Sequence, residues 1–173
     1  MHAVVLADTH LETRPGQGRR GNPVRGRWLP PSALGHLERA DVILHAGDVL
    51  DDGVLVRLRE LAPVHAVLGN NDRTLVGALP EIARLDLGGV AVAMVHDAGA
   101  RVGRAARMAR RFPDAAVVVF GHSHVPCDEL GIDGQLLFNP GSPTQRRAQP
   151  HHTLGVLELV DGEVVAHRIV ELD

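Results

Sequence analysis

The residues of this chain that can do chemistry fall into five short motifs: Asp8-Thr9-His10, Gly47-Asp48, Gly69-Asn70-Asn71-Asp72, Val95-His96 and Gly121-His122-Ser123-His124. Each follows an apolar run that reads as a strand. Each offers Asp, Asn or His, whose oxygen and nitrogen atoms hold divalent metals. Asp8 and His10 lie two residues apart at a strand end, so period-two alternation turns both the same way. The Asp48 carboxylate has two oxygens and can bridge two ions, and Gly47 lets the backbone approach closely. An amide oxygen from Asn70 or Asn71 ligates a hard cation without adding charge. His122 and His124, after the run Val117-Val118-Val119-Phe120, can each reach a different ion. Taken singly, a strand-end Asp, a Gly-Asp turn, a loop of turn formers or a lone His after a strand has a blander explanation. Five such motifs in this order, all at predicted strand ends, favour one centre holding two metals, and such centres hydrolyse phosphate esters.

The elements that must position these residues alternate in the first half. Residues 3–7 read as a strand, 32–39 as a short helix with Ser32 as N-cap, 42–46 as a strand, 52–61 as a helix and 64–68 as a strand. That βαβαβ order predicts a parallel sheet with right-handed crossovers, and ligand crevices of such sheets lie outside the strand carboxyl ends. The second half reads differently. Residues 82–87 and 90–95 flank Gly88-Gly89 as a hairpin, 100–111 form a helix with Arg on one side, and 115–120 form a buried strand. Two more hairpins are expected, 127–132 with 135–138 through Asp133-Gly134, and 154–160 with 164–170 through Asp161-Gly162. The expected architecture is two mixed sheets face to face with helices outside, in one domain over 1–173. Residues 13–31, rich in Gly, Pro and Arg, break the pattern as a long loop insertion.

Bulk composition narrows the class. The chain has 173 residues, 45% hydrophobic and only 2% aromatic, so its core is built of Val, Leu, Ile and Ala. Few aromatics argue against a base-stacking nucleic-acid module. The net charge of −3 indicates neither a polyanion binder nor an acidic tail, and all 18 basic residues are Arg. The single cysteine, Cys127, allows no internal disulfide and reads as a small buried hydrophobe. No apolar run approaches the ~20 residues that span a bilayer, and no signal peptide is evident. The expected location is the cytoplasm; a homo-oligomer is left open.

On these motifs the chain resembles the calcineurin-like metallophosphoesterase superfamily, and within it the small, single-domain bacterial phosphodiesterase branch. The small size and the stretch Asn139-Pro140-Gly141-Ser142-Pro143 favour that branch. The resemblance implies a four-layer α/β/β/α sandwich. It implies that Asp8, His10, Asp48 and His124 hold one metal, and that Asp48, Asn70, His96 and His122 hold the other. It also decides for Asn70 over Asn71, which spacing alone does not. The implied cofactor is two divalent ions, Mn²⁺ foremost, with Fe, Zn, Ni and Mg also suited in part. Three features depart from the family pattern. Asn71 occupies the position of the usual catalytic His and cannot give up a proton near neutral pH. Asp97 follows His96 where Gly is usual, and the insertion after the first motif is long.

The expected chemistry is attack by a metal-bridging hydroxide on phosphorus, in line with the leaving group. With Asn71 in place of a proton donor, the expected substrates are small phosphodiesters rather than simple alkyl monoesters. The arginine loop, with Arg19 and Arg20 foremost, is a candidate contact for a second phosphate, and Arg146 and Arg147 raise the same question. A scaffold that keeps the fold without the chemistry is the alternative. A nuclease, which would need broad basic surfaces, is the weaker one.

Overall fold

The computed structural model describes residues 1–12 and 28–172. Their strands form two five-stranded sheets. In the first, β1 (His2–Leu6) runs parallel to β2 (Val42–His45), and β2 parallel to β3 (Val64–Ala66). On the other side of β1 lie β9 (His152–Val160) and then β10 (Glu163–Leu172), both antiparallel to their neighbours. In the second sheet β4 (Ile82–Leu87) pairs antiparallel with β5 (Val90–Val95), which runs parallel to β6 (Val117–Val119). Next to β6 come β8 (Leu136–Asn139), parallel, and β7 (Cys127–Leu130), antiparallel to β8.

Side-chain alternation explains the layering. In β1, Ala3 and Val5 point between the sheets, where they join Leu44, Met94, Val117, Val119 and Phe138. Val4 and Leu6 point the other way, toward α1 (Pro31–Leu37) and α2 (Asp52–Arg59), among Leu37, Leu55 and Leu58. In β6 the same alternation sends Val118 outward to Met108 and Phe112, at the end of α3 (Arg104–Arg111). Strands covered on both faces are apolar throughout, and each buried Val or Leu contributes about 1.5–3 kcal/mol. The result is the expected α/β/β/α sandwich.

Several boundaries differ from expectation: α2, β3 and β6 are shorter than 52–61, 64–68 and 115–120, β9 and β10 are longer, and three further departures have a local cause. Pro30, not Ser32, caps α1; Pro31 opens the helix, and the Ser32 hydroxyl is buried without a hydrogen bond. Proline's fixed φ suits the first helical turn, which moves the start one residue earlier. Helix α3 begins at Arg104 rather than at residue 100, because Gly103 takes a left-handed conformation (φ 72°) and the chain before it curls around Arg107. The Arg107 guanidinium donates to the carbonyls of Ala98, Ala100 and Val102. Asp133-Gly134 does not make a two-residue hairpin. The β7–β8 ladder stops at Leu130–Leu136, and a 3₁₀ turn at Ile132–Gly134 fills the gap. Gly88-Gly89 and Asp161-Gly162 do close tight hairpins, Leu87 pairing with Val90 and Val160 with Glu163. Residues 28–31 of the expected loop are anchored. Leu29 is buried under α1 and α2, and Trp28 stacks beneath Arg57, whose guanidinium carbon lies 3.6 Å from the ring centre.

Candidate metal centre

The carboxyl ends of β1, β2, β3, β5 and β6 meet at one edge of the sandwich. Backbone bonds tie the loops that follow them: Asp8 N–H to Gly47 O and His10 N–H to Asp48 O, both 2.9 Å. Gly121 N–H donates to His96 O at 2.9 Å. The seven expected ligands come together there. They form one unbroken run of close contacts with Asp48 at its middle. Asp8 Oδ1 lies 3.4 Å from His124 Nε2, which lies 3.3 Å from His10 Nε2. His10 Nε2 is 3.5 Å from Asp48 Oδ2, and the same oxygen is 3.6 Å from His96 Nε2. His96 Nε2 is 3.0 Å from Asn70 Oδ1, which is 2.9 Å from His122 Nδ1. Asp8, His10 and His124 can close on one ion; Asp8, Asp48 and His96 also lie close enough to share one. Asp8 therefore belongs to both groups and Asp48 to the second.

Backbone geometry aims these side chains. Asp8, His10, Asp48, His122 and His124 all have positive φ, between 45° and 69°. For a residue other than glycine this costs about 1–3 kcal/mol and gathers at functional sites. Each reversal folds the side chain back over its strand end. Close approach is supplied at Gly69, where a Cβ would overlap the backbone and carboxylate of Asp48.

The electrostatics call for cations. Both Asp8 carboxylate oxygens are buried without a hydrogen-bond partner. Burial, reinforced by the Asp48 charge, pushes the Asp8 pKa up to about 8. The His122 N–H offsets part of that rise without a hydrogen bond of normal geometry. His96 Nδ1 donates to Ala46 O at 2.7 Å, which turns Nε2 toward the Asp48 and Asn70 oxygens. His124 Nδ1 likewise donates to Gln145 O at 2.5 Å, turning its Nε2 lone pair toward Asp8. Burial lowers the pKa of His10 and of His124, which keeps both in the neutral form that ligates. Asp48 goes the other way. Burial alone would raise its pKa, but backbone and side-chain hydrogen bonds from Asn71 lower it overall. Acceptors facing acceptors around a buried carboxylate fit divalent cations, and a carbonyl on the far imidazole nitrogen is the usual brace of a ligating His.

Asn71 lies in the site but faces Asp48: its backbone N–H meets Oδ1 at 2.8 Å and its amide meets Oδ2 at 2.6 Å. Arg19 and Arg20 lie outside the described residues. Arg147 is exposed, and its charge acts on Asp8, His10 and His124. Cys127 is buried, with a pKa raised by that burial and by Glu129.

Sequence reasoning passed over the braces. Asp72, buried behind the site, accepts from Asp48 N–H (2.9 Å), Leu50 N–H (2.7 Å) and Gly69 N–H (2.7 Å). Its place in Gly69-Asn70-Asn71-Asp72 was the available signal. Ser142 Oγ donates to Asp8 O (2.8 Å), and Thr144 Oγ1 donates to Thr9 O (2.5 Å). The turn after β8 is thus stitched to the first ligand loop. His45, fully buried, meets Thr9 Oγ1 at 3.0 Å, and burial followed by the nearby His96 lowers its pKa to about 3.

The α/β/β/α sandwich gathers oxygen and nitrogen donors at its strand carboxyl ends in groups that could hold a metal ion. The chain belongs to the calcineurin-like phosphoesterase superfamily, whose domain matches residues 1–162. It is 29% identical over 170 residues to a probable metallophosphoesterase of Methanothermobacter thermautotrophicus, covering 96% of this chain and 90% of the relative. The fold is shared with Entamoeba histolytica Vps29 complexed with zinc, at 23% identity and TM-score 0.73 over 100% and 99% of the two chains. It is shared equally with an archaeal phosphodiesterase, at 20% identity and TM-score 0.70 over 99% and 100%. Among the described residues no helix is long and apolar enough to cross a membrane.

Proposed function

We propose that the protein is a metal-dependent phosphodiesterase acting on small phosphodiesters. The observation that carries this is the contact run through Asp48, with acceptor atoms facing one another around the hydrogen-bond-free carboxylate of Asp8. In this reading Asp8, His10, Asp48 and His124 hold one divalent ion, and Asp48, Asn70, His96 and His122 the other, Mn²⁺ being the first choice. Such ions, when bound, supply positive charge to non-bridging phosphoryl oxygens and lower the pKa of water toward neutrality.

The remaining work belongs to the chain's own residues. Ala46 O and Gln145 O hold His96 and His124 in the tautomer whose Nε2 lone pair faces the centre. Asn71 orients Asp48 with two hydrogen bonds and has no proton to lend to a leaving group at neutral pH. That favours esters with good leaving groups and favours diesters over alkyl monoesters. A groove of about 350 Å³ beside Asn70, His96 and His122 gives a small ester room to approach.

The test is metal content together with turnover. The expected result is about two divalent ions per chain and Mn²⁺-dependent hydrolysis of bis(p-nitrophenyl) phosphate well above that of p-nitrophenyl phosphate. Faster monoester hydrolysis would overturn the diesterase assignment. Protein that binds no divalent ion and turns over neither ester would instead be a scaffold of the same fold.

A further inference from the structure

The groove beside Asn70, His96 and His122 does not end at the metal centre. Its wall includes Asp97 and Arg111, and both residues also line a second groove of about 530 Å³. The two are therefore one trough, which leaves the centre past Asp97 and runs along α3. Its far wall is formed by Arg107, Arg110 and Arg111.

These arginines are not equivalent. Arg107 is spent on structure: its guanidinium holds the carbonyls of Ala98, Ala100 and Val102 and shapes the bend before α3. Arg110 and Arg111 are exposed, and among the described residues neither makes an ion pair or hydrogen bond. Arg111 only lies over the Phe112 ring, 5.2 Å from its centre. Two exposed acids, Glu81 and Asp97, also line the trough, Asp97 accepting from Gly99 N–H at 2.7 Å; with Arg107, Arg110 and Arg111 beside them the lining keeps a net positive charge. Guanidinium forks without partners, on the rim of a trough that starts at a phosphate-ester site, match a second phosphoryl group in charge and geometry.

We infer that the trough is an extended substrate site: Arg110 and Arg111 bind a second phosphoryl group, carried on the part of the phosphodiester distal to the bond cleaved. The inference rests on the phosphodiesterase reading for the reaction, and adds that the substrate is elongated and bears at least two phosphates. The phosphate at the metal centre is cleaved; the distal one is bound and not altered.

Two nucleotide pairs test it. For turnover, the p-nitrophenyl ester of thymidine 5′-phosphate is compared with the same ester carrying a 3′-phosphate, in Mn²⁺. The 3′-phosphate is expected to lower KM about tenfold with little change in kcat. The double variant Arg110→Ala, Arg111→Ala should return KM to that of the unphosphorylated ester. Equal KM values for the two esters, or a gain that survives in the double variant, would overturn the inference. For binding, calorimetry compares thymidine 3′,5′-bisphosphate with thymidine 5′-monophosphate in the wild type and the variant, with thermal melts verifying that the variant folds. Tighter binding of the bisphosphate only in the wild type supports the trough even if neither ester turns over, in which case the phosphodiesterase reading alone fails. Equal affinity overturns the trough whatever the turnover.

Discussion

Replacing Asp8 with Asn should stabilise the metal-free protein, although Asp8 sits at the centre of the candidate site. The carboxylate is buried with no hydrogen bond and beside the Asp48 charge, and its pKa stands at about 8 against 3.8 in the unfolded chain. The folded state therefore holds a proton that the unfolded state has released, so stability falls as pH rises from 3.8 toward 8. Each pKa unit is worth ~1.36 kcal/mol, so the part of the interval below about pH 7 amounts to ~4 kcal/mol. Asn has nearly the same shape and cannot ionise. In EDTA, urea denaturation of the Asp8→Asn variant near neutral pH should give an unfolding free energy up to about 4 kcal/mol above wild type with unchanged m. Near pH 4 the difference should vanish. Saturating Mn²⁺ should reverse the order, because the ion stabilises only a protein that binds it. A metal-free variant no more stable than wild type, or a gain independent of pH, would refute the argument that burial holds a proton on Asp8 at this site.

His45 leads to the opposite dependence. With its folded pKa near 3 and an ordinary unfolded value of 6.5, it contributes stability that is complete above 6.5 and is lost as pH falls toward 3. From about pH 6.5 to 5 that loss is ~2 kcal/mol, and a His45→Gln variant should show a correspondingly flatter acid limb in denaturation. Asp72→Ala strands the N–H groups of Asp48, Leu50 and Gly69. It should cost about 2–4 kcal/mol in denaturation and weaken Mn²⁺ binding in calorimetry at least tenfold; unchanged metal affinity would mean that Asp72 does not position the ligand loops. Asn71→His places an imidazole where Asn71 now donates to Asp48, and the ratio of alkyl-monoester to diester turnover should rise about a hundredfold or more. An unaltered ratio would remove Asn71 as the source of diester preference.

The candidate ligands were legible because their chemistry and spacing are local properties. Asp8, His10, Asp48, His96, His122 and His124 each follow an apolar strand, and donor type together with strand-end position carries the signal, whereas the choice of Asn70 over Asn71 came from the family resemblance. The layers were legible for the same reason. Val4 and Val5 must face opposite ways, and apolar residues on both faces of β1, β2 and β6 demand cover on both sides. Weaker local signals misled: Ser32 loses its capping role to Pro30-Pro31, and Gly103 starts α3 later than periodicity suggests.

Only the tertiary structure decided how the site is held and where its charge lies. The left-handed backbone of Asp8, His10, Asp48, His122 and His124 is seen only in the folded chain, because Asp and His tolerate that conformation without requiring it. Asp72 and the Ser142–Thr144 turn brace the site through hydrogen bonds that reach it from other loops, which a linear reading does not contain. The raised pKa of Asp8 is a consequence of desolvation, and desolvation exists only once the two sheets have closed. Sequence determined which atoms could bind metal, since ligand chemistry belongs to the residue. Folding decided which of them are left facing one another without a hydrogen-bond partner, since burial belongs to the assembled whole.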